Sequence, residues 1–422
     1  MLIRNGILPD GREADVRIEG ERIVEVGPDL SPTARTGTLD ASGLRLLPGT
    51  IDVHVHFREP GWSHKETWTT GSRSAAAGGV TTVVDQPNTL PPTIDGATFD
   101  GKAAIAADSL VDYGLNAGVT PDWRPDELFD RPVFAVGEVF LADSTGDLGI
   151  EADLFREAVE RTAAAGLPVT VHAEDATRFD DSVRDRDDPA AWSDYRPPEA
   201  EVAAVETAID VAAETGAQLH IAHASTPRGI DLAVEAGLTC EVTPHHLLLS
   251  RDHLDDLGTL GMMNPPLRDE ARRAALWDRL VDGTIDMVAT DHAPHTLDEK
   301  DASVWEAPSG VPGVETMLPL LAAAANRGEL SYERVAAVTA GRPATVFDLP
   351  HKGGIEVGAD ADLVLLEPDT RPIQGSDLHT RCEWTPFEGW TGQFPALTMV
   401  RGHVAYEDGR FGEVTGRNVR EG

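Results

Sequence analysis

Through the middle of the chain, short apolar runs alternate with polar loops and with segments whose apolar residues recur every three to four positions. The runs read as strands over 49–56, 80–86, 113–119, 133–141, 168–172, 218–223, 238–243 and 285–290. They are continuous rather than alternating, as strands buried on both faces of a parallel sheet must be. The segments between them read as amphipathic helices. Over 151–165, Leu154, Phe155, Ala158, Val159 and Thr162 fall on one face, and Gly166 followed by Pro168 ends the helix. Segments 202–215 and 269–281 obey the same spacing. Repeated strand–helix units predict an α/β fold, a (β/α)8 TIM-type barrel over residues 48–351, with its site where strands end and loops begin.

The two chain ends have another rhythm. Asp15–Ile18 and Ile23–Val26 alternate apolar and polar positions around a turn at Gly20 and Glu21, and 362–366 and 398–406 look similar, with a turn at 407–410. Neither end can enclose a core alone. Residues 1–47 and 352–422 are therefore expected to pair into one small β-sandwich-like domain.

Charge changes the picture. Aspartate and glutamate number 72 against 35 lysines and arginines, for a net charge of −37, and only four of the basic residues are lysines. Such a field repels nucleic acid and anionic membrane. At about 1 M salt the Debye length is only about 3 Å and the self-repulsion is screened. The composition therefore points to a salt-rich cytosol. No apolar run of about 18 residues exists to span a membrane, and the first residues lack a secretion signal. Cys240 and Cys382 form no C-x-x-C pair, so two reduced thiols are expected rather than a disulfide framework or a thiolate metal site.

Candidate chemistry gathers at the predicted strand ends. The first strand closes on His54-Val55-His56, whose two imidazoles share a face. The fourth carries Glu138, the fifth ends at His172, the sixth at His223 and the eighth at Asp291. Taken singly, a histidine at a strand end is an ordinary hydrogen-bonded residue. Converging in register, four imidazoles and two carboxylates make a zinc-type donor set of borderline softness. Glu138 sits in an apolar strand, where an unpaired carboxylate would be costly and a cation would offset the cost. Zinc lowers the pKa of a bound water from 15.7 to about 7 and polarises a carbonyl, and a neighbouring carboxylate can carry the proton to a leaving nitrogen. That set suits hydrolysis of an amide. His245 and His246 are expected to support the site, and His220, three residues before His223, to face away from it. The segment 142–149 is polar and glycine-containing and reads as a lid.

Four strings carry a family resemblance: Asp52-Val-His-Val-His-Phe-Arg-Glu-Pro-Gly61, Val83-Val-Asp-Gln-Pro-Asn-Thr-Leu-Pro-Pro92, Val169-Thr-Val-His-Ala-Glu174 and Thr290-Asp-His-Ala-Pro-His295. They resemble the amidohydrolase superfamily and, more narrowly, its dihydroorotases, enzymes of de novo pyrimidine synthesis. Cys240-Glu-Val-Thr-Pro-His-His-Leu-Leu-Leu249, Gly313-Val-Glu-Thr-Met-Leu-Pro319 and Trp384-Thr-Pro-Phe-Glu-Gly389 extend the likeness. The resemblance implies that His54, His56, His172 and His223 are zinc ligands and that Asp291 is both ligand and catalytic base. It further implies that Arg58, Asn88 and His295 grip a substrate carboxylate, that Asn264 and His56 contact the substrate, and that the loop bearing Ser309 and Gly310 supplies backbone hydrogen bonds. The reaction implied is reversible closure of N-carbamoyl-L-aspartate to L-dihydroorotate.

One position departs from the family pattern. Many relatives place a carboxylated lysine on the fourth strand, bridging two metals, where this chain has Glu138. Glutamate is several bonds shorter, so a bridge requires the backbone to approach or the metals to shift. Two zinc ions are expected, with one tightly held ion as the rival. The plainer reading of Arg58 is an ion pair with Glu59. Alternatives to the activity are another cyclic amidohydrolase of allantoinase or hydantoinase type, or a non-catalytic scaffold homologue. A homodimer is the base-rate expectation, and no motif speaks to contact with aspartate transcarbamoylase.

Overall fold

The computed structural model describes residues 1–32, 37–142 and 148–421. All eight expected barrel strands form: β1 (Thr50–Val55), β2 (Val80–Asp85), β3 (Asp112–Leu115), β4 (Val136–Phe140), β5 (Val169–His172), β6 (Leu219–Ile221), β7 (Thr239–Val242) and β8 (Met287–Val288). Strands β1–β3 and β4–β8 run as two parallel ladders. Single bridges join them into a closed barrel, Ala117 to Val136 on one seam and Val55 to His292 on the other. Closure leaves no parallel edge open to solvent, and the strands are buried on both faces as their apolar runs required.

The surrounding helices follow the spacing of their apolar residues. Pro198–Thr215 turns Ala200, Ala204, Val205, Ala208, Val211 and Ala212 inward and stops at Gly216, whose φ of 70° suits a residue without Cβ. It starts four residues before the expected boundary because Pro198 occupies the first turn, where its missing N–H costs nothing. Helices Ala152–Ala164 and Glu270–Asp282 lie within one residue of expectation at each end.

Strands from both chain ends form one continuous nine-stranded sheet. Leu2–Ile7 pairs with Glu13–Glu19, which pairs with Arg22–Gly27, while Arg45–Pro48 pairs antiparallel with Leu363–Leu366. A single apolar cluster draws on both ends, with Ile3, Val16 and Ile18 meeting Leu363, Leu365 and Met399. The expected strand over 398–406 is in fact two, Pro395–Val400 and His403–Glu407. Arg401 and Gly402 turn the chain with φ of 45° and 77°, and a Cβ on Gly402 would sit 2.7 Å from the Gly20 carbonyl oxygen. The expected turn at 407–410 forms around Asp408 and Gly409. Both cysteines are buried and unbridged. No helix among the described residues is long and apolar enough to cross a membrane. The central part of the expected lid, 143–147, lies outside the described residues.

Candidate metal and substrate site

The expected donors converge at the C-terminal mouth of the barrel, and each is held from behind. His54, near the end of β1, turns Nδ1 to Glu241 Oε1 on β7 at 2.6 Å, and the other oxygen of Glu241 meets His220 Nε2 at 3.1 Å. His172 ends β5 with Nε2 on Glu174 Oε2 at 2.8 Å, and Arg196 clamps that carboxylate. His56 Nδ1 faces Asn88 Oδ1 at 2.7 Å. In each case one imidazole nitrogen is fixed by an oxygen, which aims the other into the cavity. His223 lies two residues beyond β6 with φ of 33°, and Asp291 follows β8 with φ of 45°. Such left-handed backbone costs about 1–3 kcal/mol at a residue with Cβ. It is sustained beside Asp291 by Asp52, which accepts from the Thr290 amide and hydroxyl.

The aimed atoms crowd together. Asp291 Oδ1 is 2.9 Å from His56 Nε2 and 3.6 Å from His54 Nε2, and Glu138 Oε2 is 3.3 Å from the same His54 nitrogen. Glu138 Oε1 lies 2.9 Å from His172 Nδ1, which is 3.0 Å from His223 Nε2. Two overlapping triads therefore have ligand atoms within 4.8 Å of one another, His54 with His56 and Asp291, and His54 with Glu138 and His223. His54 Nε2 is fully buried yet makes no hydrogen bond, although two carboxylates are near. A buried polar atom without a partner is costly, and a cation among these oxygens and nitrogens would relieve it. The donor set thus fits a divalent metal of the zinc type. Burial alone would raise the Glu138 carboxyl, but His223, His54 and His172 hold it well below the usual carboxylate range. Burial is likewise outweighed at His172, which Glu138 and Glu174 push up to about 9.

The same cavity holds the residues expected to meet substrate. Arg58, Asn88, Asn264, Ser309 and Gly310 line it beside His56 and Asp291. Arg58 is buried, with Nε donating to the Pro294 carbonyl at 3.2 Å and Nη2 lying 3.1 Å from His295 Nε2. Burial draws the guanidinium down to about 10, still charged at neutral pH. Glu59 is not its partner, since that carboxylate accepts from the Trp68 amide instead. Asn264 Oδ1 accepts from Trp192 Nε1 at 3.0 Å. The amide of Gly310 donates to the Met262 carbonyl and Ser309 O contacts His295 Nε2, so these backbone groups already brace the loop. Lys300 ties both segments together through Met262 O and Pro308 O.

Several supporting residues escaped the sequence reading. Glu174 lies inside the Val-His-Ala-Glu string and Glu241 in an apolar strand, and the buried acid in each was the available signal. His220 does face away from the cavity, but it steadies Glu241 and through it His54. His246 is buried, with Nδ1 at 2.8 Å from Thr243 Oγ1 and Nε2 at 2.9 Å from Pro265 O, a pattern that suits the neutral ring. Burial and the neighbouring His245 hold its pKa well below the ordinary 6.5. The unfolded chain therefore binds a proton that the folded chain refuses, so this contribution to stability is full above about pH 6.5 and is lost as pH falls below it. In metal-free protein at constant molar KCl, the fall in Tm between pH 7 and pH 5 should be shallower for His246→Gln than for the parent. Equal slopes would show that His246 does not govern acid stability.

Comparison with known proteins agrees with this architecture. A model of the amidohydrolase family matches residues 45–405. The chain is 63% identical over 425 residues to a dihydroorotase of Halobacterium salinarum, covering 100% of both. An allantoinase of Rubrobacter xylanophilus is 37% identical across 97% of this chain and 95% of its own length. Among solved structures, the L-hydantoinase (dihydropyrimidinase) of Arthrobacter aurescens superposes with a TM-score of 0.94 at 30% identity, covering 99% of this chain and 98% of that one. On the extent of the family match and on full-length relatives at this identity, the chain is a member of the amidohydrolase family.

Proposed function

We propose that this enzyme is a dihydroorotase, interconverting N-carbamoyl-L-aspartate and L-dihydroorotate. One observation carries the reading. Arg58 is a buried guanidinium in the donor cavity, and among the described residues no carboxylate forms an ion pair with it. A buried charge without a counter-ion is expensive, and the carboxylate of dihydroorotate would supply one in bidentate geometry. Allantoin and hydantoin are rings without that group. The relative of Halobacterium salinarum, a dihydroorotase, supports the same choice.

His54, His56, His172, His223, Glu138 and Asp291 would hold zinc, and the two triads favour two ions over one. Bound zinc supplies Lewis-acid activation of water and of the ring carbonyl. The remaining work falls to the chain. Asp291, its carboxyl held below the ordinary range by His56 and His54 against the effect of burial, is ionised and ready to accept a proton. It takes that proton from the attacking water as the amide opens and delivers it to the departing ring nitrogen. In ring closure it moves the proton the other way. Arg58, with Asn88 and His295 beside it, anchors the carboxylate and so fixes which ring carbonyl faces Asp291. Asn264 bounds the far side, with its oxygen held by Trp192.

Residues 1–47 with 352–422 form the small β-rich unit in this reading and 48–351 the hydrolase barrel, and the net charge of −37 suits a salt-rich cytosol. Removal of metal tests the assignment. Chelation should abolish dihydroorotate hydrolysis in molar KCl, and about two equivalents of zinc per chain should restore it. Full activity in chelated protein shown to be metal-free would refute the metal site.

A further inference from the structure

Glu138 raises a problem of reach, because its carboxylate stands only three bonds from Cα and yet meets His54, His172 and His223 in the centre of the barrel mouth. The backbone of β4 resolves it. Val136 pairs with Val169 and Val139 with Val171, so Gly137 and Glu138 together stand opposite Thr170 alone. This is a β-bulge, a device that inserts one residue and re-aims a side chain. Gly137 has φ of 139°, and a Cβ there would lie 2.2 Å from Thr170 Oγ1 and 2.4 Å from the Thr170 carbonyl oxygen, so the bulge requires glycine.

A bulge frees the Glu138 amide from the ladder, and a buried amide needs an acceptor. Gln86, immediately after β2, provides it. Its Oε1 accepts from Glu138 N at 2.9 Å and from Asn116 Nδ2 at 3.0 Å, while its Nε2 donates to Val53 O at 3.2 Å. The Gln86 backbone carbonyl accepts from Lys102 Nζ, whose side chain is wholly buried against Asp85. Gln86 is 1% exposed and contacts none of the proposed metal donors through its own side chain. It thus links β1, the end of β3 and the bulge of β4 across the barrel interior.

We infer that Gln86 is a positioning residue for the metal site, holding the bulged backbone at Gly137–Glu138 so that an unmodified glutamate takes the carboxylate ligand position. The inference rests on the proposed metal site and concerns how that site is built. Without the Gln86 oxygen, the Glu138 amide is buried and unpaired, the bulge relaxes toward a regular ladder, and the carboxylate withdraws from His54 and His223. Loss of such an outer hydrogen bond typically weakens metal binding by about 10–100-fold.

The test is a double-mutant cycle read by Co2+ binding to the metal-free full chain. Wild type, Gln86→Met, Glu138→Gln and the double variant are titrated with cobalt, following affinity and the visible ligand-field bands. Gln86→Met should weaken binding at least about 10-fold and shift the bands in the same direction as Glu138→Gln. The double variant should bind about as well as Glu138→Gln alone, since Gln86 acts through Glu138. Gln86→Glu retains the length and an acceptor oxygen, and should bind within about 3-fold of wild type, a factor well inside the loss typical of a broken outer contact. It also carries the test should Gln86→Met fail to fold, because cobalt affinity lowered as far as in Glu138→Gln would then overturn the proposal. Losses that add in the double variant, or wild-type affinity in Gln86→Met, would overturn it as well. Failure of the wild-type chain itself to bind cobalt would instead refute the metal site on which the inference stands.

Discussion

Asp291→Asn should lower kcat for dihydroorotate by about 10³-fold, within the 10²–10⁴ range of a lost general acid–base group. The substitution preserves shape and one oxygen, but an amide neither accepts the proton from water nor delivers it to the ring nitrogen. Two features of the structure make the effect specific. Asp291 sits within 2.9 Å of His56 Nε2 in the cavity that holds Arg58, so its carboxylate faces the reacting centre. Its backbone is fixed by the Asp52 clamp on Thr290, so the asparagine would be held in the same place. Because Asp291 is also a proposed ligand, metal content must be measured on the same sample. A large fall in kcat with metal retained assigns the loss to proton transfer. A kcat within about 10-fold of wild type would remove Asp291 from that role.

Arg58→Ala should reduce kcat/KM for dihydroorotate by at least about 100-fold, the scale of one charged hydrogen-bond pair lost at about 1.5–3 kcal/mol. Most of the loss should fall on KM, because the substrate carboxylate is held alike in ground and transition states. Arg58→Lys should recover little. A lysine presents a point charge rather than a planar fork, and the Pro294 and His295 contacts that orient Nε and Nη2 would go with the guanidinium. Steady-state kinetics of both variants decide the matter. A near-normal kcat/KM in Arg58→Ala would exclude Arg58 from substrate binding and with it the main reason for preferring an anionic ring.

Much of this was legible in the sequence because burial leaves a strong mark. All eight barrel strands stand where continuous apolar runs predicted them, though the ladders are shorter, most of all β8, where the expected 285–290 reduces to Met287–Val288. Strand ends at a barrel mouth carry catalytic residues in irregular backbone, and His223 and Asp291 both leave the ladder before they reach the site. The turn at Arg401 and Gly402 was hidden by unbroken alternation on either side of it. The donors themselves were visible as polar residues at the ends of apolar runs.

Their supports were not, for a physical reason. Glu241 steadies His54 and Gln86 steadies Glu138 across strands far apart in the chain, and pairings of that kind follow from closure of the barrel rather than from any local spacing. The reach of Glu138 shows the same limit. Sequence alone set the requirement that the backbone approach, and only the register between β4 and β5 reveals the bulge that meets it.

The most direct measurement is a steady-state comparison of dihydroorotate, allantoin and hydantoin as substrates of the zinc-loaded protein in molar KCl. The account predicts turnover of dihydroorotate, with kcat/KM at least about 100-fold above either neutral ring, since Arg58 is satisfied only by a carboxylate. A neutral ring turned over as fast or faster, or no turnover of dihydroorotate at all, would contradict it.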